Sequence, residues 1–588
     1  MKQGKALLLT AFVSLPFLLA LYMTAVSPRP YYLMETDLEA GYYYWTALIF
    51  HGERPQGVSH PGTPIHLLGS FILRLFGSEF RLVESTQQVL NVLYLLIGAL
   101  TSVSLWLFTK YMLDGIPIGW LLLALGIVIA WPPSLTFTNY FCSDSFVIAW
   151  GLPTVTLFWS SLRDKTFRRP KALLCGVGIG LCTATKMTFL PLAGAITFGY
   201  AVNQIVKHSG TQSRWQSVTN VLVVPLTAMV TFAVLTLPVW HSLPDLLWLL
   251  RVHTAGRRPN LELFVDSFNV LSQVAWPLTL IFLTAPVAFI WLALQLYSYE
   301  RADPGNSRID FDWISACLFL AIMVGYFLSL MGTPPSERFH DTGITLRWLS
   351  PTVLVFPFLL VFCFKACEKL YATWWIQHYK LQVLFCVLAV VVVGVSISTH
   401  FAHRQGWIVE TRARAEEGAQ ALNQLAGADA RVAFWDGSPG TTFGPASFHF
   451  WGNSRYAAGY FSDELLSAFP RHSHFYLREL TKQRWEKLAL VDRKDSGGAL
   501  RQTIKSLLTR GGQVWTNWFP RPEYTMRTRE LVSGENKSIE VSSILVLDQE
   551  ETERVGIHNI LAAVRERFGL EKVRVMSIAG NNFYVLGR

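Results

Sequence analysis

Apolar runs of membrane length dominate the first two thirds of the chain. Stretches of roughly 20 residues cross a bilayer core as a helix. They fall near 6–26, 88–109, 116–133, 143–162, 172–185, 188–206, 218–239, 270–297, 312–331, 346–366 and 380–400. The pattern predicts eleven transmembrane helices, or ten if the short pair 172–185 and 188–206 is one broken helix. The first loop, about 27–87, has patterns of its own. "GYYYWTALIF" reads as an aromatic helix, a Gly-Pro-rich stretch follows, and "HPG" opens an amphipathic helix over 66–76. After His400 the runs stop. "ETRARAEEGAQALNQLAG" reads as a surface helix and "NILAAVRERFG" as another, while "RVAFWD", "KLALVD", "SSILVLD" and "NNFYVLG" read as short strands. Such alternation suggests an α/β domain over 401–588, after a membrane domain over 1–400.

Composition supports this division. Of 588 residues 51% are hydrophobic, 14% aromatic and only 15% charged, where a soluble chain carries about 25% charged residues. Basic residues then orient the spans. With Lys2 and Lys5 inside, the cytoplasmic loops collect Lys110, the run Arg163, Lys165, Arg168, Arg169 and Lys171, and later Lys207, Arg214, Arg301, Arg308, Lys365, Lys369 and Lys380. The first loop and the last domain therefore fall outside. A cleaved signal peptide over the first 26 residues is the alternative, weakened by the length of the run and the lack of a small-x-small site before Ser27.

The seven cysteines all lie in or beside spans, so neither a disulfide framework nor a Cys-based zinc site is expected. No P-loop, dinucleotide fingerprint or internal repeat is visible, and nothing suggests a nucleic-acid partner.

Ionisable residues at membrane depth usually face a bundle interior or an aqueous cavity. Here they gather at one face. "METDLEAGYYYW" carries Glu35, Asp37 and Glu39, "NYFCSDSFVIAW" carries Asp144 and "TATKMTFLP" carries Lys186. "RVHTAGRRPN" adds Arg251, Arg257 and Arg258, and "TLRWLSP" adds Arg347. Structural alternatives stand beside each. The acids can cap the helices they precede, Lys186 and Arg347 can snorkel to the interface, and the Arg251–Arg258 loop can bind anionic headgroups. His60 can be a loop histidine, and Tyr42–Trp45 an interfacial aromatic belt. His340 and Asp341 are only a weak hint of a metal site.

"TDLEAGYYYWTALIFHGERP…SHPGTPIHLLGSFILRLFG" resembles the first extracytoplasmic loop of the polytopic, lipid-phosphosugar-dependent glycosyltransferases of the GT-C fold. The nearest group is that of the protein O-mannosyltransferases and aminoarabinose transferases (glycosyltransferase family 39-like). "FCSDSFVIAW" is similar to that group's second acidic position, "GIGLCTATKMTFLPL" to its Gly-rich span ending in Thr-Lys, and "LRWLSPTVLVFPFLLV" to its Arg-(aromatic)-Leu-x-Pro span. The resemblance covers roughly 1–400. It departs at the acidic pair, split here by Leu38, and at His60-Pro61-Gly62, where a second proline is usual. Counting back from Gly52 matches Asp37 to the family's first acid.

The resemblance implies an integral protein of a bacterial inner membrane, with its last domain extracytoplasmic. The implied activity is inverting transfer of a sugar, hexosyl or pentosyl, from a polyprenyl-phosphate donor to a lipid, glycan or protein acceptor. Chemically this needs a carboxylate base for the acceptor hydroxyl and cations for the departing phosphate. Asp37 and Asp144 are the catalytic candidates. Glu39, His60, Lys186, Arg251, Arg257, Arg258 and Arg347 are the substrate-binding candidates. A divalent metal is compatible with the pattern and not required by it. The alternative activity is a transporter or flippase of a lipid-linked intermediate, which calls for charges near the bilayer midplane and paired broken helices.

Overall fold

The structure is a computed structural model. It describes residues 2–29, 41–50, 62–75, 82–112, 116–131, 134–135, 140–164, 168–208, 214–242, 261–302, 312–331, 349–371 and 379–426, and five strands in the last part. Helices occupy the places of the expected spans. They are α1 (Lys2–Ala25), α4 (Leu82–Met112), α5 (Ile118–Ala130), α6 (Leu152–Ser161), α7 (Arg169–Thr185), α8 (Leu190–His208), α9 (Arg214–Thr236), α10 (Leu261–Ala302), α11 (Trp313–Met331), α12 (Phe356–Tyr371) and α13 (Tyr379–Ala426). Within the first loop lie α2 (Gly41–Phe50) and α3 (Thr63–Leu75), close to the aromatic and amphipathic helices expected there.

Among the described residues seven helical segments are long and apolar enough to cross a membrane. The chain is an integral membrane protein by that measure. Of the other four expected spans, one meets the 19-residue α8 and three meet shorter helices, α5, α6 and α7, and α5 shows why length is relaxed. Every residue from Leu121 to Ala130 is buried, so α5 is covered by protein instead of lipid and need not match the bilayer thickness.

Helix packing rests on small residues, as it does where lipid competes for apolar surface. A Cβ on Gly176 or Gly180 of α7 would stand 2.7 Å from Val224 O or 2.6 Å from Ala228 O of α9. On α5, a Cβ at Gly119 would meet Gln382 O at 2.6 Å, and Gly126 faces Ala389 and Val393. That register makes α5 and α13 parallel neighbours. In α1, Pro16 interrupts the hydrogen-bond ladder, and the Phe17 N–H donates across to the Ser102 hydroxyl of α4 at 3.2 Å.

One helix crosses the expected domain boundary at residue 400. α13 runs for 48 residues through it, so the surface helix read from "ETRARAEEGAQALNQLAG" is the continuation of the last span. Beyond it, β1 (Val432–Trp435), β2 (Tyr456–Ala457), β3 (Ile544–Asp548), β4 (Lys572–Ile578) and β5 (Asn581–Gly587) form one sheet in the order β2-β1-β3-β5-β4. β1 is parallel to β2 and β3, whereas β5 is antiparallel to β3 and β4. β1, β3 and β5 match expected strands. "KLALVD" and "NILAAVRERFG" lie outside the described residues.

Candidate functional site

Asp144 and Lys186, 42 positions apart in sequence, form an ion pair inside the bundle. Their side chains are 1% and 3% exposed. Each sits on a break between helices. Cys142 is extended, Ser143–Phe146 make a 3-10 turn, and Val147–Gly151 make a π-helical turn before α6 begins. The Ser145 hydroxyl donates to the Tyr140 carbonyl and ties the break to the preceding chain. The Ser104 hydroxyl of α4 lies 2.7 Å from Ala149 O and donates to a carbonyl of the π turn. Gly151 permits the crossing, since a Cβ there would stand 2.4 Å from Leu354 and 2.9 Å from Phe189.

On the facing side α7 ends at Thr185. Lys186 is extended (φ −152°, ψ 123°), and Met187–Phe189 make a short 3-10 turn before α8. Irregular backbone at membrane depth persists only where protein or a cavity covers it. Residues 141–148 and 182–189 are buried accordingly.

Depth follows from helix rise. The 17 residues of α7 span about 25 Å, close to the roughly 30 Å of a hydrocarbon core. The pair is thus nearly one bilayer thickness from the basic end at Arg169 and Lys171, far from the midplane. A small cavity lies beside Asp144. Val128, Val147, Val353 and Leu354 supply its apolar wall, and Ser134 and Ser350 join Asp144 on the polar side. Trp131 Nε1–H donates to Ser350 Oγ at 3.1 Å, near the start of the helical stretch at Leu349, two positions after Arg347.

The first-loop helices pack against this same end. Tyr42 and Tyr43 of α2, Ile65 and Ile72 of α3, and Phe141, Cys142 and Phe146 share one apolar cluster with the beginning of α4. Gly69 allows the approach, since its Cβ would meet Thr46 at 2.6 Å and Phe141 at 2.8 Å. Gly62 of the "HPG" element has φ +59°, a region that costs other residues energy. Tyr42 and His66 crowd it from one side, their rings 5.2 Å apart. Burial lowers the His66 pKa to about 3, so this imidazole is neutral at ordinary pH.

Of the expected site residues, Asp144 and Lys186 are therefore brought together. Asp37, Glu39, His60, Arg251, Arg257, Arg258 and Arg347 lie outside the described residues, as do Glu35, His340 and Asp341. Asp37 stands four positions before the first residue of α2. Among the described residues no group of three or more His, Cys, Asp or Glu is placed to hold a metal ion.

Sequence reading passed over two buried cations. Arg29 is 2% exposed, donates to the Tyr94 hydroxyl at 3.1 Å, and lies 3.9 Å from the centre of the Tyr140 ring. Arg404 is 6% exposed and donates to the Ser27 hydroxyl and carbonyl, both at 3.3 Å. The available signal for Arg404 was its helical spacing from Ser396 and His400, which a break at 400 obscured.

No protein-family model matches the chain, and no curated protein matches it. Among solved structures the chain is similar to ArnT from Cupriavidus metallidurans, whose crystal structure is bound to undecaprenyl phosphate. The identity is 12% and the TM-score 0.48, over 100% of this chain and 98% of that one. At that identity and score the likeness carries neither fold nor activity over to this chain.

Proposed function

We propose that the chain is an inverting glycosyltransferase that moves a sugar from a polyprenyl-phosphate donor to an acceptor at the extracytoplasmic membrane face. The observation that carries the reading is the buried Asp144–Lys186 pair. It lies on two facing helix breaks beside the first-loop helices, nearly a bilayer thickness from the basic end. The positive-inside rule makes that end the extracytoplasmic one, and the two stretches carrying Asp144 and Lys186, which resemble motifs of the GT-C glycosyltransferases, meet there.

Asp144 holds Lys186 through the ion pair, and the base that takes the acceptor proton is Asp37. The acceptor oxygen then attacks the anomeric carbon as the bond to the polyprenyl phosphate breaks. Lys186, with Arg347 or the Arg251–Arg258 loop, stabilises the charge that builds on the leaving phosphate.

A flippase is the second reading, and two charged backbone breaks in adjacent spans are the observation in its favour. Their place near one end of the bundle favours the transferase.

The deciding experiment uses the full chain in sealed vesicles with a labelled polyprenyl-phosphate sugar. Release of polyprenyl phosphate, reduced about 10²-fold or more in Asp37→Asn with donor still bound, supports transfer. Glu35→Gln and Glu39→Gln should lose much less. Movement of intact donor between leaflets without cleavage would establish the flippase instead.

A further inference from the structure

We propose that one face of α13, formed by Ser396, His400 and Arg404 and completed by Arg29, binds the phosphate of a membrane-lipid headgroup. This goes beyond the transferase reading and does not depend on it.

The three α13 residues are spaced four apart, so they stack along one helix face. Lower on the helix the inward face is apolar and packs on α5, where Gly126 meets Ala389 and Val393. α5 stops four residues later, at Ala130. Above that point the face turns polar and meets the far end of α1. Tyr22 stacks edge-on against Phe401 at 5.5 Å, and Arg404 grips Ser27. Arg29 follows Ser27 by two residues, so two buried guanidiniums converge on one seam.

Two further observations mark the seam as a place for a polar guest. Ser396 Oγ and His400 Nε2 are buried and have no hydrogen-bond partner among the described residues. A polar atom left so in a membrane protein is costly unless a water or ligand atom satisfies it. The level is also right. From Lys380, at the basic end of α13, His400 is 20 residues along and Arg404 is 24. These are rises of about 30 and 36 Å, which put the pair at the far headgroup plane.

A phosphate is the guest this chemistry fits. Its oxygens accept from guanidinium forks, from a hydroxyl and from an imidazole N–H together. The rim is open beside the buried cations, since His403 and Gln405 are exposed. Along α1 and α13 the apolar Leu21, Val391 and Val395 are exposed as well, as suits contact with lipid. The phosphate monoester of a polyprenyl lipid and the diester of an anionic phospholipid share the recognised group.

The test places the full chain in nanodiscs of neutral lipid and titrates in polyprenyl phosphate, phosphatidylglycerol or the polyprenyl alcohol. Saturable binding of one or both phosphate lipids, with the alcohol at least about tenfold weaker, is expected. Arg404→Gln should weaken that binding about ten- to a hundredfold, and His400→Phe less. Preference for the monoester over the diester identifies the polyprenyl lipid as the source, and the reverse identifies bulk phospholipid. Should Arg404→Gln lose its fold, Ser396→Ala and His400→Phe carry the same comparison. Equal binding of phosphate lipid and alcohol, or unchanged affinity in folded variants, overturns the proposal. Loss of phosphate binding with sugar transfer intact leaves the transferase reading standing, and intact binding without any transfer leaves this one.

Discussion

The Asp144–Lys186 pair permits a test that separates architecture from chemistry. With side chains 1% and 3% exposed, it lies in the regime where removing one partner takes the ion-pair counter-charge from the other in a desolvated site. Such truncations cost about 3–5 kcal/mol, against about 0–1 kcal/mol for an exposed pair. At 1.4 kcal/mol per tenfold, the folded population relative to the unfolded should fall by roughly two to three and a half powers of ten. Lys186→Met and Asp144→Leu should each show this loss. The double variant Asp144→Leu/Lys186→Met puts two apolar side chains of similar size in contact and should recover most of it, because neither charge is then stranded. The measurement is unfolding in mixed micelles, with all four proteins compared as a double-mutant cycle. Sugar transfer is followed on the same samples. A pair that only holds the helix breaks together gives a double variant that is both stable and active. A pair that presents Lys186 to the donor phosphate gives one that is stable and inactive. If the double variant is no more stable than the singles, or Lys186→Met is as stable as wild type, the reasoning from burial is refuted.

Three further outcomes are expected. A reporter fused after Arg588 should be active outside the cytoplasm and one inserted at 165–170 inside; reports from the same side would remove the shared face from the site. Because burial holds the His66 pKa near 3, well below its unfolded value of about 6.5, the unfolded chain gains the proton first as pH falls. The first-loop packing should therefore be fully stable above about pH 6.5 and weaken by up to about 1.4 kcal/mol per pH unit below it. His66→Phe should flatten that slope in hydrogen exchange of α3. Gly180→Val should destabilise the α7–α9 contact by about 1–3 kcal/mol or more, since even a Cβ would stand 2.6 Å from a backbone oxygen; an unaltered unfolding midpoint would show that α9 can move aside.

The sequence alone determined the helical segments and their order, because a run of about 20 apolar residues has one inexpensive fate, helix in lipid. It also located the two first-loop helices, through aromatic and amphipathic patterns that tertiary context did not override. It marked Asp144 and Lys186, because single charges in apolar stretches are rare enough to be conspicuous. What it could not show is that these two face each other. The 42 positions between them run down through α6 and back along α7, and only the packing of two broken helices sets the meeting point. The π turn at Val147–Gly151 was invisible for a related reason. No local propensity demands it, and Ser104 of α4 and the close approach of Leu354 support it from elsewhere in the bundle. The same holds for α13. Composition changes at residue 400, yet backbone hydrogen bonding continues through any run of adequate helix formers, so a shift from lipid-facing to water-facing residues does not end a helix. That continuity carries Arg404 up to Ser27, a contact across 377 positions that only the tertiary structure decides.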